Sequence, residues 1–275
     1  DQQPRSESVS DFSRDRCGLS HAYRGWTESA EEESACDAYR GSIEPEVIMF
    51  SKSANYYDDI YASIDKDYSV ETKKLQKFIQ KYKRSGGHKL LDVACGTGTH
   101  TNLLNQQYHV EGLDLDSKML SVARKKYPGI KFHHADMLDF NLNRKFDVIT
   151  CLFSSIGYVR TKPNLAKAIR NMAGHLLPGG VLLVEPWFSS EQWNVGHIHM
   201  TSVNRNDLKI ARMSRSSRRG NVSIIEFQYL IGASKKIAHS IETHKLGLFS
   251  NKDYLDAFES AGLKTTHDAK GLDGR

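Results

Sequence analysis

Apolar side chains recur at helical spacing across residues 53–84, first at Tyr56, Tyr57, Ile60, Tyr61 and Ile64, then at Leu75, Phe78, Ile79 and Tyr82. Gly86 and Gly87 stop the second set. Beyond them, short apolar runs alternate with amphipathic stretches. The runs Lys89 to Ala94, His109 to Leu115, Ile130 to His134, Phe146 to Leu152 and Val181 to Glu185 read as five strands. Thr99 to Gln107, Ser117 to Lys126 and Asn164 to Leu177 read as the intervening helices, the last closed by Pro178, Gly179 and Gly180, and Ser117 sits near an N-cap. Strands alternating with helices predict an α/β fold with a doubly wound, mostly parallel sheet.

Residues 186–247 break that rhythm. Ile198 to Val203, Leu208 to Ser214, Val222 to Ile231 and Lys236 to Leu246 alternate or carry β-branched residues, with turn signals at Asn206-Asp207 and Gly220-Asn221. They predict an inserted antiparallel sheet. Asn251 to Ala261 then reads as a helix and Leu263 to His267 as a sixth strand. Residues 1–48 stand apart: they are rich in Ser, Glu, Asp and Arg and poor in Ile, Leu and Val. Such composition reads as a disordered or non-native leader, with Met49 as a candidate native start of a domain over 49–275.

The 275 residues suffice for one large domain with a real core. No apolar run approaches the roughly 18 residues of a membrane span, and the first residues lack a secretory apolar region, so a cytoplasmic location is expected. The net charge of +5 suits an anionic small molecule as well as nucleic acid. Cys17, Cys36, Cys95 and Cys151 form no Cys-x-x-Cys pair and no zinc spacing, so neither disulfides nor a metal site is expected.

The strongest chemical signal is Leu91-Asp92-Val93-Ala94-Cys95-Gly96-Thr97-Gly98-Thr99, where the first strand meets a helix. Gly96 and Gly98 let the backbone turn sharply and approach a ligand. The spacing departs from Gly-x-Gly-x-x-Gly, and Asp92 ahead of the turn suits a cationic ligand such as the sulfonium and amino group of S-adenosylmethionine (SAM). Asp114, ending the second strand, can accept hydrogen bonds from ribose hydroxyls. Asp136, after the third, can accept from an adenine amino group. Met119 and Met137 are candidates to flank the adenine ring. Ala94, Cys95, Leu115 and Phe153 complete the expected cofactor-binding set.

With those residues in place, the sequence resembles class I SAM-dependent methyltransferases with a Rossmann-like core. More narrowly, it resembles the N,N-dimethyltransferases that act on nucleotide-linked amino sugars in macrolide pathways. The matching stretches are Leu90 to His100, Gly112 to Arg124, Asp136 to Phe140, Phe153 to Val159, Leu177 to Trp187, Ser214 to Asn221 and Leu246 to Gly262. The resemblance implies that Tyr57 and Tyr61 close over the active site, with Tyr61 near the transferring methyl group. It implies that Ser154, Ser155 and Tyr158 line the floor and that Trp187 walls the acceptor pocket. Two departures stand out: Phe188 follows Trp187 where the family has a second tryptophan, and the family continues past Arg275 into a last strand, which therefore reads as absent here.

The implied activity is methyl transfer from SAM to a small-molecule acceptor, an amine such as a nucleotide-linked amino sugar. Another acceptor (an O-nucleophile, RNA or a protein side chain) and a catalytically silent SAM-binding protein remain as alternatives. No Asn/Asp-Pro-Pro-Tyr/Phe sequence follows the fourth strand, which argues against base-amine methylation of nucleic acid. His100, His133, His134 and His175 are available, but none is assigned as a base. Arg205, Lys209, Arg212, Arg215, Arg218 and Arg219 could contact a diphosphate or RNA, or form a solvated sheet face. The inserted sheet is the expected face for a homodimer; neither DNA nor a membrane is an expected partner.

Overall fold

A computed structural model describes residues 50–64, 66–233 and 235–272. The leader assigned to residues 1–48, the start at Met49 and the question of a strand beyond Arg275 lie outside the described residues. The described elements belong to one compact unit, Glu46–Arg275.

Helix α1 (Tyr57–Ala62) follows a 3-10 turn at Ala54–Tyr56, and α2 (Tyr68–Tyr82) comes next. The sequence read helical character throughout residues 53–84; the structure breaks it in the middle. Ser63 turns its hydroxyl back to the Ile60 carbonyl, while Asp67 caps a new helix by accepting from the Ser69 and Val70 N–H groups. Strand β1 (Lys89–Val93) leads to α3 (Thr99–Leu104), β2 (His109–Asp114) to α4 (Ser117–Lys126), and β3 (Lys131–His134) to β4 (Phe146–Cys151). Asp116 caps α4, accepting from the Lys118 and Met119 N–H groups, and Ser117 stands next to that cap. After α5 (Lys162–Gly174), β5 (Leu176–Val184) completes a parallel sheet in the order β3-β2-β1-β4-β5. All six β4 residues are buried, as expected of a strand covered on both faces.

The Pro178-Gly179-Gly180 signal does not end a helix. It lies inside β5, where the ladder shifts between Phe146↔Leu176 and Val148↔Val181. Gly179 takes φ +76°, and a Cβ on Gly180 would sit 2.9 Å from the Asp147 carbonyl oxygen, so the bulge needs both glycines. Leu263–His267, read as a sixth strand, is irregular chain. Among the described residues it pairs with neither sheet, although β5, at the sheet's edge, keeps one side of its ladder open.

Strands β6 (Ile198–Asn204), β7 (Leu208–Arg219), β8 (Val222–Ala233) and β9 (Lys236–Gly247) form the anticipated antiparallel sheet, paired in sequence order. Helix α6 (Asn251–Ser260) follows, opened by a capping box between Ser250 and Asp253. Ile60 of α1 packs with Val203, Leu208, Ile210, Tyr229 and Ile231 on one face of this second sheet. The helix therefore lies between that face and the carboxyl rim of the parallel sheet.

Candidate active site

The rim begins where β1 gives way to a turn with three left-handed residues, Ala94 (φ +57°), Gly96 (φ +57°) and Gly98 (φ +80°). A Cβ on Gly98 would lie 3.1 Å from the Phe132 ring, so the turn is closely held as well as unusually shaped. The Cys95 N–H donates to the Leu113 carbonyl, which ties the turn to β2. Asp114 sits beside it. Its Oδ2 accepts from the Gly96 N–H at 2.7 Å and its Oδ1 from the Asp116 N–H at 2.8 Å. Burial pushes the Asp114 carboxyl up to about 6, against the pull of those two donors. Next along the rim, the Ala135 N–H donates to the Asp114 carbonyl, and Asp136, half-buried, accepts from the Leu138 N–H through Oδ1.

Asp92 belongs to a layer beneath. It is 2 % exposed, and its oxygens accept from Thr101 Oγ1 at 2.7 Å and Thr150 Oγ1 at 2.8 Å. It braces β1, α3 and β4 under the turn, and burial raises its carboxyl. Its charge still acts on Asp114 and Cys95 through the interior. The sequence put Asp92 ahead of the turn as a candidate for direct contact with a cationic ligand; which hydroxyls reach a carboxylate is a tertiary matter that local pattern does not reveal. Met119 is buried under Gly96, whose added Cβ would lie 3.3 Å from the methionine methyl. Met137 is partly buried against the main core, and Leu115 is 39 % exposed.

Across the rim, Phe153 (φ +51°) follows β4 and donates its N–H to Glu185 Oε2 at 2.6 Å. Tyr61 stands edge-on to the Phe153 ring, centroids 4.9 Å apart, and Tyr57 packs 4.5 Å from Tyr61. Burial pushes the hydroxyls of Tyr57, Tyr61 and Tyr158 up, so all three keep their protons at neutral pH. Tyr158 OH is hydrogen-bonded with His244 Nδ1 at 2.7 Å. Ser154 donates to the Pro186 carbonyl, and Ser155 opens the 3-10 turn Ser155–Val159. Trp187 donates from Nε1 to Ser223 Oγ at 2.9 Å and backs the same turn, 3.1 Å from a Cβ on Gly157. Thus Tyr57, Tyr61 and Phe153 form one aromatic cluster, while Ser154, Ser155, Tyr158 and Trp187 gather along the junction with the second sheet.

Several residues that sequence reasoning left out hold this arrangement. Asp58 of α1 accepts from Thr97 Oγ1 at 2.7 Å, Thr99 Oγ1 at 3.2 Å and Lys126 Nζ at 2.7 Å. It latches the tyrosine helix onto the glycine turn. Glu242, buried on β9, accepts from the Lys52 and Ser53 N–H groups and the Ser53 hydroxyl, fixing the segment that leads into α1. The Lys66 ammonium lies 3.9 Å over the Phe153 ring and pairs with Glu71, which also meets His100 at 2.7 Å. Only Asp58, adjoining Tyr57, carried a signal by position. The four histidines considered earlier are held structurally: His100 by Glu71, His133 by Glu111, His134 by the Leu115 carbonyl and His175 by the Asn171 carbonyl.

The donor set fits SAM. A left-handed turn without bulky side chains opens the backbone, half-buried Asp114 places negative charge beside it, and Asp136 follows the next strand, as a cationic adenosyl ligand requires. A model of the family described as Methyltransferase domain matches residues 90–180. The chain is 37% identical over 233 residues to the dTDP-3-amino-3,6-dideoxy-alpha-D-glucopyranose N,N-dimethyltransferase of Streptomyces fradiae, covering 84% of this chain and 91% of that one. It belongs to the SAM-dependent N,N-dimethyltransferase family. Another member, the dTDP-3-amino-3,4,6-trideoxy-alpha-D-glucopyranose N,N-dimethyltransferase of Streptomyces venezuelae, is 37% identical over 81% of this chain and 94% of its own. Among solved structures, Streptomyces venezuelae DesVI matches with a TM-score of 0.77 at 36% identity, over 81% of this chain and 95% of its own. The SAM-bound amino pentose methyltransferase CalS10 from Micromonospora echinaspora matches with a TM-score of 0.72 at 34% identity, over 80% and 93%. The family carries the Rossmann-like fold described above, and its cofactor is SAM.

Proposed function

We propose that this methyltransferase transfers two methyl groups in succession from SAM to the amine of a nucleotide-linked amino sugar. The observation that carries the reading is the convergence of the Asp114–Asp136 rim with the Tyr57–Tyr61–Phe153 cluster, set beside relatives whose names specify dTDP-amino sugars. In this reading Asp114 holds the ribose and Asp136 the adenine amino group, with Ala94, Cys95, Gly96, Gly98, Leu115, Met119, Met137 and Phe153 lining the cofactor site. Asp92 supports the turn and adds negative charge from below. SAM, when bound, supplies a methyl group already activated on a sulfonium. The chain's own work is alignment, which can be worth about 7–11 kcal/mol of barrier.

Tyr61 and Tyr57, neutral hydroxyl aromatics on a latched helix, orient the amine and exclude water. Ser155, Tyr158 and Trp187 form the acceptor wall. The acceptor ammonium gives its proton to solvent before docking, the neutral amine attacks, and the methylated ammonium formed releases its proton to solvent afterwards, so no side chain is assigned as a base. The location in this reading is cytoplasmic, a reducing compartment that suits the free thiols Cys95 and Cys151. Among the described residues no helix is long and apolar enough to cross a membrane. The reading includes no DNA partner. It includes a homodimer through the second sheet, whose outer face carries Ile198, Met200, Met213, Leu230 and Ile241 exposed, with Met200 directly opposite Met213.

A labelled methyl-transfer screen across amine, hydroxyl and RNA acceptors tests the function. Label should appear on nucleotide-linked amino sugars, with products one and then two methyl groups heavier. Label on RNA alone, or tight SAM binding with no transfer to any acceptor, would overturn it.

A further inference from the structure

Six basic residues of the second sheet were candidates for an acceptor's diphosphate, and the fold separates them. Arg205 pairs with Asp59 and Asp207. Lys209 donates to Asn204, and Arg218 donates to the carbonyls of Gly220 and Ser190. Arg215 and Arg219 are exposed. Only Arg212 turns inward. It lies on the face of β7 that meets α1, between Thr201 of β6 and Tyr229 of β8, and is 6 % exposed.

Its surroundings are those of a cation awaiting an anion. The guanidinium carbon stands 5.5 Å over the Tyr61 ring and 5.1 Å over that of Phe227. Its polar partners are uncharged: a long contact to Thr201 Oγ1 at 3.4 Å and a hydrogen bond to the Tyr61 hydroxyl. Glu242, whose charge acts on the same Tyr61 and Tyr229, is taken up by Lys52 and Ser53 and makes no ion pair with Arg212. Among the described residues no acid forms an ion pair with Arg212; a buried charge in that position is costly, and aromatic faces offset only part of the cost. A guanidinium also matches the paired oxygens of a phosphoryl group better than an ammonium does.

We infer that Arg212 holds the diphosphate of a nucleotide-linked acceptor and so sets the preference for nucleotide-linked over free amino sugars. The inference rests on the functional reading above. It places the diphosphate beside Tyr61, about one sugar ring from the amine that Tyr61 orients.

The test compares the full-length wild type with Arg212→Met and Arg212→Lys. Each is assayed on a dTDP-linked amino sugar and on the methyl glycoside of the same amino sugar, with SAM affinity measured by calorimetry. In Arg212→Met the KM for the dTDP-linked acceptor should rise at least about tenfold more than that for the glycoside, while Arg212→Lys falls between. Thymidine diphosphate should inhibit the wild type and lose potency in both variants. Should Arg212→Met fail to fold, Arg212→Lys and the thymidine diphosphate competition carry the test. Equal loss on both acceptors would assign Arg212 to structure, and weakened SAM binding would assign it to the cofactor carboxylate; either result overturns the inference. A wild type that methylates neither acceptor refutes the functional reading itself. One that methylates both equally refutes only the role of Arg212.

Discussion

Asp114 carries its charge where burial opposes it, so its protonation should govern the cofactor site. Below about 6 the carboxyl keeps its proton and loses both an acceptor and its negative charge. SAM affinity should therefore weaken as pH falls through that value and level off above it. Asp114→Asn should bind SAM about 10–100-fold more weakly, with no such pH dependence; calorimetry between pH 5 and 8 checks both. A pH-independent wild type would contradict the assignment. Gly112 is a second sensitive residue, since a Cβ there would lie 2.6 Å from the Phe132 ring and 2.8 Å from Cys95 Sγ. Gly112→Ala should cost about 1–3 kcal/mol in urea unfolding. At this scale the sequence showed which acids end which strands, because strand ends follow from local pattern. It could not show that Thr101 and Thr150 draw Asp92 under the turn, or that His244 meets Tyr158 across 86 residues, because those pairings are made by the fold.

Helix α1 has six residues, too few to be stable alone, so its place depends on what holds it. Asp58 ties it to Thr97, Thr99 and Lys126, and Ile60 seats it on the second sheet. Asp58→Ala should speed amide exchange across residues 54–62 and weaken SAM binding, while the melting temperature moves by only a few degrees. Unchanged exchange there would show that packing alone fixes the helix. Element type was legible wherever periodicity was sustained, as in β1, β2, β4 and α4. It failed where tertiary pairing decides: Leu263–His267 has strand-like composition but joins neither sheet among the described residues, and Pro178-Gly179-Gly180 serves a register shift in β5 where a helix stop was expected.

For the whole molecule, the proposed reading divides the work between the two sheets: the parallel sheet would present the cofactor rim, and the antiparallel sheet would roof the acceptor side with one face. Its other face should join two copies. Met213→Lys should shift the protein from dimer to monomer in sedimentation without unfolding it, and a wild type that is already monomeric would remove that proposal. The two-sheet plan was readable because the strand signature changes from residue 186, whereas the meeting of Arg212 with Tyr61 arises only when α1 docks on the second sheet. A crystal structure of the protein with S-adenosylhomocysteine tests the central claim most directly. The ribose should lie on Asp114, the adenine beside Asp136 and the sulfur toward Tyr61. A ligand bound elsewhere, with the Asp114–Asp136 rim empty, would contradict the account.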